Sequence, residues 1–228
     1  GRNDYGEGTS VLGGLANASL MAWIDLASDF SSNGVIVGQG NFLLRVNASR
    51  QLQVILNSTT LTCTTTTLST SRWYHVAAVY NGSSLKLYIN GSEVASTSVS
   101  GSLNANTNPL TIGKQPTGSI RYFKGKIDEV RVFNIALTPT QLQRMVYQEI
   151  ENNSSQVRGT IVPRDIEALP FANLLRYYRM DAYKDDIVDD LTTPGIDTGS
   201  GMKIYNNKVI NYQQAPMPFT TIRTGTFS

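Results

Sequence analysis

The sequence has 228 residues, a net charge of +2 and only 16% charged residues, so it is long enough for one large β-sandwich or a domain with an appended piece. A balance this small, with no basic cluster interleaved with aromatics, excludes a nucleic-acid partner. One cysteine, Cys63, excludes an internal disulfide and a thiolate zinc cluster, and one histidine, His75, excludes a multi-histidine metal site. No signal peptide or membrane-spanning run is visible, so no membrane insertion is expected. Abundant Asn, Ser and Thr with few lysines suggest an extracytoplasmic protein, and the lack of disulfides a bacterial one.

In chain order, Ala18 to Leu26 predicts a strand with Leu20, Ala22, Ile24 and Leu26 on one face and Met21 and Trp23 on the other. Apolar on both faces, it belongs inside a sheet covered on both sides. Gly34 to Gly40 is a short apolar run. Phe42, Leu44 and Val46, then Leu52, Val54 and Leu56, repeat a period of two across a turn at Asn47 to Arg50, which predicts a hairpin. Thr59 to Leu68 reads as a further strand. Two Asn-Gly pairs, Asn81-Gly82 and Asn90-Gly91, divide Arg72 to Val94 into three strands, because both residue types accept positive φ in tight turns.

Ser119 to Thr138 is the densest stretch. Ile127, Val130, Val132 and Phe133 form a β-rich run around the acidic pair Asp128 and Glu129, with Gly125 allowing a tight turn into it. A helix start follows: Thr138 can cap, Pro139 takes the first helical position, Gln141 completes a capping box and Leu137 can staple onto Leu142. The helix is expected from Pro139 to about Ile150, with Leu142, Met145 and Val146 on one stripe. Gln156 to Pro170 reads as a linker. Beyond it, Leu174, Arg176, Tyr178 and Met180 alternate against Leu175, Tyr177 and Arg179 before an acidic run.

FKGKIDEVRVFNIALT (123–138), with ASLMAWIDL (18–26), RWYHVAAVYNGSSLKLYINGSEV (72–94) and LTIG (110–113), resembles laminin-G-like and pentraxin-like domains of the concanavalin A-like lectin/glucanase superfamily. The resemblance implies an all-β fold, a jelly-roll sandwich of two antiparallel sheets with one short helix. GRNDY at residues 1–5 resembles the end of a strand whose module would begin upstream. The expected organisation is a laminin-G-like domain over 1–150, a linker over 151–171 and a C-terminal segment over 172–228. That segment resembles the opening of such a module. It either starts a second module or folds back to supply strands to the first; folding back is favoured, since a fragment of that length buries little by itself and an open sheet edge would remain. The tail GMKIYNNKVINYQQAPMPF is similar to inter-module connections in large surface proteins of Bacteroidetes.

Glucanases of the superfamily carry an E-x-D-x-E strand, whose spacing aligns three carboxylates on one face. The sequence lacks it: Asp128 and Glu129 are adjacent, hence expected on opposite faces, and Asp165-Ile166-Glu167 has no third acid. No catalytic residue is expected, and His75, mid-strand beside Trp73, reads as part of the sandwich wall. The resemblance implies a structural calcium at Asp128, completed by backbone carbonyls of the opening strands and a glycine-containing loop, with the segment around Asp181 expected to replace ligands of the missing N-terminal strand; the alternative is a salt bridge from Asp128 to Arg131 or Lys126. Five aspartates between Asp181 and Asp190 lack EF-hand spacing and read as a solvated turn.

Sugar-binding surfaces use tyrosine or tryptophan rings with a few polar partners. The aromatic candidates are Tyr122, Tyr74, Tyr80 and Tyr88. The loops at Asn104 to Asn108 and Gln115 to Arg121 are the expected ligand-facing surfaces, with Asn106, Gln115, Arg121 and Tyr122 as ligand-binding residues. The expected function is recognition of a glycan or cell-surface protein by a non-catalytic module of a secreted or cell-surface bacterial protein, joined to neighbouring modules of a longer chain. An exposed aromatic or polar groove on a sheet would favour recognition. A flat, Thr/Ser-covered sheet would favour a purely architectural spacer.

Overall fold

The computed structural model describes residues 3–181, 183–194 and 199–206, and its strands follow the period-two patterns closely. In chain order they are β1 (Tyr5–Gly8), β2 (Ala18–Leu26), β3 (Gly34–Gln39), β4 (Phe42–Val46), β5 (Leu52–Leu56), β6 (Thr59–Thr62), β7 (Trp73–Tyr80), β8 (Ser84–Ile89), β9 (Ser92–Ser98), β10 (Leu110–Ile112) and β11 (Gly125–Phe133). Helix α1 (Pro139–Met145) follows, then β12 (Ile150–Asn153), β13 (Gln156–Gly159), β14 (Arg164–Pro170), β15 (Leu174–Tyr178), β16 (Tyr183–Lys184), β17 (Ile187–Val188) and β18 (Met202–Tyr205).

Two main antiparallel sheets form the sandwich. One has nine strands in the order β16-β17-β18-β1-β10-β3-β4-β5-β6, and the other six, β15-β11-β2-β7-β8-β9. Between them lies one core, with Leu20, Ile24, Val76, Leu87, Val130 and Val132 from the smaller sheet meeting Ile36, Leu44, Val54, Leu110 and Met202 from the larger. Each such side chain, removed from water, contributes about 1.5–3 kcal/mol. All nine residues of β2 are buried, because Met21 and Trp23 are also covered on the outside.

That outer covering comes from a stretch read in sequence as a linker. Residues 151–171 are not a linker: β12, β13 and β14 form a three-stranded sheet that, with α1, packs Leu142, Met145, Val157, Ile166 and Leu169 against Met21, Ala77, Val79 and Phe133. The apolar anchors are spaced sparsely among polar residues. The hairpin turn is made by Ser154 and Ser155 at φ 50° and 65°, with Asn152 Oδ1 accepting from the Ser155 N–H at 3.0 Å.

The expected capping box at Thr138 and Gln141 is present, but α1 ends at Met145, short of Ile150. The chain turns there because Arg131 draws in the carbonyls of Met145 and Gln148. The strand expected over Thr59 to Leu68 stops at Thr62, where Cys63 turns into the core and its N–H bonds the Leu52 carbonyl.

The C-terminal residues pair with both sheets. β15 runs antiparallel to β11, β18 runs antiparallel to β1, and Tyr178, Val188 and Met202 enter the main core. A bulge between Val132 and Phe133 breaks the simple alternation read for β15, so Leu174 joins Tyr177 on the outer side while Tyr178 faces inward. Residues 207–228, which include most of the tail, lie outside the described residues.

Candidate functional site

The outward face of the six-stranded sheet is occupied by α1 and the three-stranded sheet, so the outward sheet face that they leave uncovered belongs to the nine-stranded sheet. Its outward residues follow from register. On β1, Gly6 and Gly8 face Met202 and Tyr178, which leaves Tyr5 and Glu7 pointing out. Tyr5 opposes Tyr205 and Glu7 opposes Lys203 on β18; toward the other edge Val35 opposes Arg45, Arg45 opposes Gln53, and Gln53 opposes Thr62.

These residues interact across the strands. The rings of Tyr5 and Tyr205 stack at 4.9 Å between centroids, and Tyr122 leans on Tyr5 at 5.9 Å. Lys114 Nζ sits 3.9 Å from the centroid of the Tyr5 ring and 2.7 Å from Glu7. Arg45 Nε donates to Gln53 Oε1 at 2.9 Å, and Gln53 Nε2 donates to Thr62 Oγ1 at 2.7 Å. The result is an aromatic row running into a polar ladder.

The loop between β10 and β11 leans over this face. Phe123 anchors it by burying its ring against Phe30, while its N–H bonds the Gly113 carbonyl. The Arg121 carbonyl accepts the Val35 N–H at 3.0 Å, and Arg121 Nη1 donates to Gln115 Oε1 at 2.5 Å. Beside them opens a groove of about 600 Å³ lined by Ser32, Asn33, Arg121, Tyr122 and Lys124. Lys124 is paired with Asp29. Burial first, and the charge of Arg121 second, draw the Arg45 guanidinium below its ordinary pKa.

Of the sequence-derived ligand candidates, Arg121 and Tyr122 line this groove and Gln115 braces Arg121. Asn106 does not line it: its Oδ1 accepts from Gln39 Nε2 and from the Asn108 N–H, and its Nδ2 donates to the Asn104 carbonyl, so the side chain fastens its own loop. Tyr74, Tyr80 and Tyr88 are core residues, 7%, 0% and 1% exposed. Tyr5, Tyr205, Arg45, Ser32, Asn33 and Lys124 were missed. The alternation of Tyr5 with Gly6 and Glu7 carried a signal for the first; the others depend on pairings between segments distant in sequence.

The acidic residues go elsewhere. A bulge in β11 inserts one extra residue between Asp128, opposite Trp23, and Arg131, opposite Met21, and Glu129 there takes φ 53°. Asp128 and Glu129 therefore do not alternate across the sheet; both lie on the helix side. Asp128 Oδ1 accepts the Glu129 N–H at 2.9 Å. Arg131 pairs with Glu129 and Lys126 with Asp25. Glu129 also accepts the Tyr177 hydroxyl at 2.6 Å, and Arg179 links it to Glu149 and Asp181. Burial pushes the Glu129 carboxyl up against the opposing pull of Arg131. Among the described residues no three His, Cys, Asp or Glu side chains gather as a metal site; Asp128 lies at the β11 bulge and Asp181 pairs with Arg179.

A family model described as the concanavalin A-like lectin/glucanases superfamily, laminin-G-like, matches residues 1–143. No curated protein matches the chain. Among solved structures, a candidate carbohydrate-binding protein from Bacteroides ovatus superposes with a TM-score of 0.67 at 22% identity, covering 90% of this chain and 56% of its own. The chain thus spans little more than half of that relative's length. A heptameric SAP-like pentraxin from Limulus polyphemus gives 0.53 at 17% identity, covering 64% and 76% of the two chains. The CBM40 of a Ruminococcus gnavus sialidase, bound to α2,3-sialyllactose, gives 0.51 at 15% identity, covering 58% and 84%. The sandwich, the sheet-strand-helix unit at 123–145 and the family match together assign the chain to the concanavalin A-like lectin/glucanases superfamily.

Proposed function

We propose that the chain is a non-catalytic recognition module that binds glycan on the outward face of its nine-stranded sheet, within a longer secreted or cell-surface protein. The observation that carries this reading is the row of Tyr205 stacked on Tyr5 and Tyr122 tilted against it, beside Arg121, Gln115 and the Arg45–Gln53–Thr62 ladder. Tyrosine rings offer an apolar surface to the C–H face of a sugar, and amide and guanidinium groups beside them fix its hydroxyls. The carbohydrate-binding relatives, and the larger size of the Bacteroides ovatus protein, support a sugar ligand and neighbouring modules. A cell-surface protein partner is the alternative occupant of the same face.

A glycan array probed with the chain tests this. Binding to a defined subset of glycans, reduced on the order of tenfold by Tyr122→Ala, supports the reading; no binding to any glycan overturns it in favour of a protein partner or a spacer. Calcium is a separable part of the proposal. It rests on one carboxylate, that of the buried Asp128, with backbone carbonyls as remaining ligands, because Asp181 is committed to Arg179 at 2.6 Å. A melting temperature raised by calcium over chelator, and insensitive to calcium in Asp128→Ala, supports it; no shift in the wild type removes it.

A further inference from the structure

The positive charges on the open face are not equivalent. Lys114 is neutralised by Glu7 and Lys124 by Asp29. Arg45 and Arg121 instead spend donors on the neutral amides of Gln53 and Gln115, and among the described residues neither has a carboxylate within ion-pair distance. They are also neighbours: Val35 is the register partner of Arg45, and its N–H bonds the Arg121 carbonyl.

Two arginines on neighbouring segments, near enough that the charge of Arg121 acts on Arg45, leave a local positive potential with no ion-paired carboxylate among the described residues, and it is stronger because Arg45 is only 9% exposed and poorly screened. Arg121 is exposed, and among the described residues its guanidinium donates one hydrogen bond, to Gln115. A planar guanidinium with spare N–H groups matches the paired oxygens of a carboxylate or sulfate. Tyr122 adjoins it in sequence and lines the same groove, so a sugar ring resting on Tyr122 would lie beside Arg121.

We propose that this face contains an acid subsite, in which Arg121 contacts the carboxylate or sulfate of an acidic saccharide and Arg45 supplies positive potential from beneath. The proposal rests on the recognition reading above and narrows its ligand to acidic glycans.

The test is calorimetry of the chain with three tetrasaccharides: an oligogalacturonide carrying only carboxylates, a κ-carrageenan fragment carrying only sulfates, and a neutral β-1,4-galactan fragment. At least one acidic probe should bind about tenfold or more tightly than the neutral one, and the two acidic arms identify which group is taken. Raising NaCl from about 20 to about 300 mM should weaken that binding. Arg121→Gln, on an exposed loop and checked by its unchanged melting temperature, should remove the preference, and Arg121→Lys should restore part of it. Equal binding of neutral and acidic probes, or an acidic preference untouched by Arg121→Gln, overturns the acid subsite while glycan recognition stands. If none of the three probes binds, the acid subsite is overturned, and the array decides separately whether glycan recognition falls with it.

Discussion

His75 lies 1% exposed with its ring edge-on to Trp23 at 5.7 Å, and neither ring nitrogen has a protein partner among the described residues. Burial, and then the charge of Arg131, lower its pKa from 6.5 to about 3. Between those values the unfolded chain takes up a proton that the folded chain refuses, so this group makes stability fall as pH drops, by up to about 1.4 kcal/mol per unit. Because it is the sole histidine, His75→Phe should flatten the pH dependence of urea stability between about pH 6 and 4. An unchanged slope would contradict a buried neutral ring. Gly125 is a second residue-scale determinant. At φ +153°, a Cβ there would lie 2.1 Å from the Asp25 carbonyl oxygen, so Gly125→Ala should cost about 3 kcal/mol in chemical denaturation. The need for glycine was legible from sequence. The collision partner was not, since β2 lies about a hundred positions away.

At the scale of elements, strands with strict alternation and Asn-Gly turns were legible because local chemistry decides them: β2, β4, β5 and the β7–β8–β9 meander all fall where the patterns put them. The capping box likewise located the start of α1. Elements fixed by tertiary contact were not legible. β12 to β14 carry few apolar residues and a turn of serines in positive φ, so their order comes from packing on the six-stranded sheet. The bulge at Glu129 is another such case: nothing local marks the extra residue, and it reverses the expected facing of an acidic side chain. The C-terminal strands give an element-scale prediction. Removing residues 172–228 would strip Tyr177, Tyr178, Val188 and Met202 from the cores at about 2 kcal/mol each, a loss comparable with the whole stability of a typical domain. The truncated chain should show no cooperative urea transition and should bind a hydrophobic dye. A two-state transition of near wild-type midpoint would contradict this.

For the whole molecule, the arrangement of layers selects the working surface. One sheet is sealed on its outer side by α1 and the three-stranded sheet, while the other keeps an outward face with tyrosines, arginines and amides. Half of the sequence-derived ligand set, Arg121 and Tyr122, lines its groove because the β10–β11 loop is a rim loop in any such sandwich. Asn106 belongs to an equally polar loop, yet Gln39, 1% exposed, holds it inward. Composition alone does not separate these two loops.

The most direct test of the central claim is an NMR titration of the chain with the tightest-binding oligosaccharide from the array. The account predicts shift changes at Tyr5, Tyr122, Tyr205, Arg121 and Gln115, with α1 and β12 to β14 unmoved. Changes confined to the helix side or to Asn104–Asn108, or the absence of any binding oligosaccharide, would contradict it.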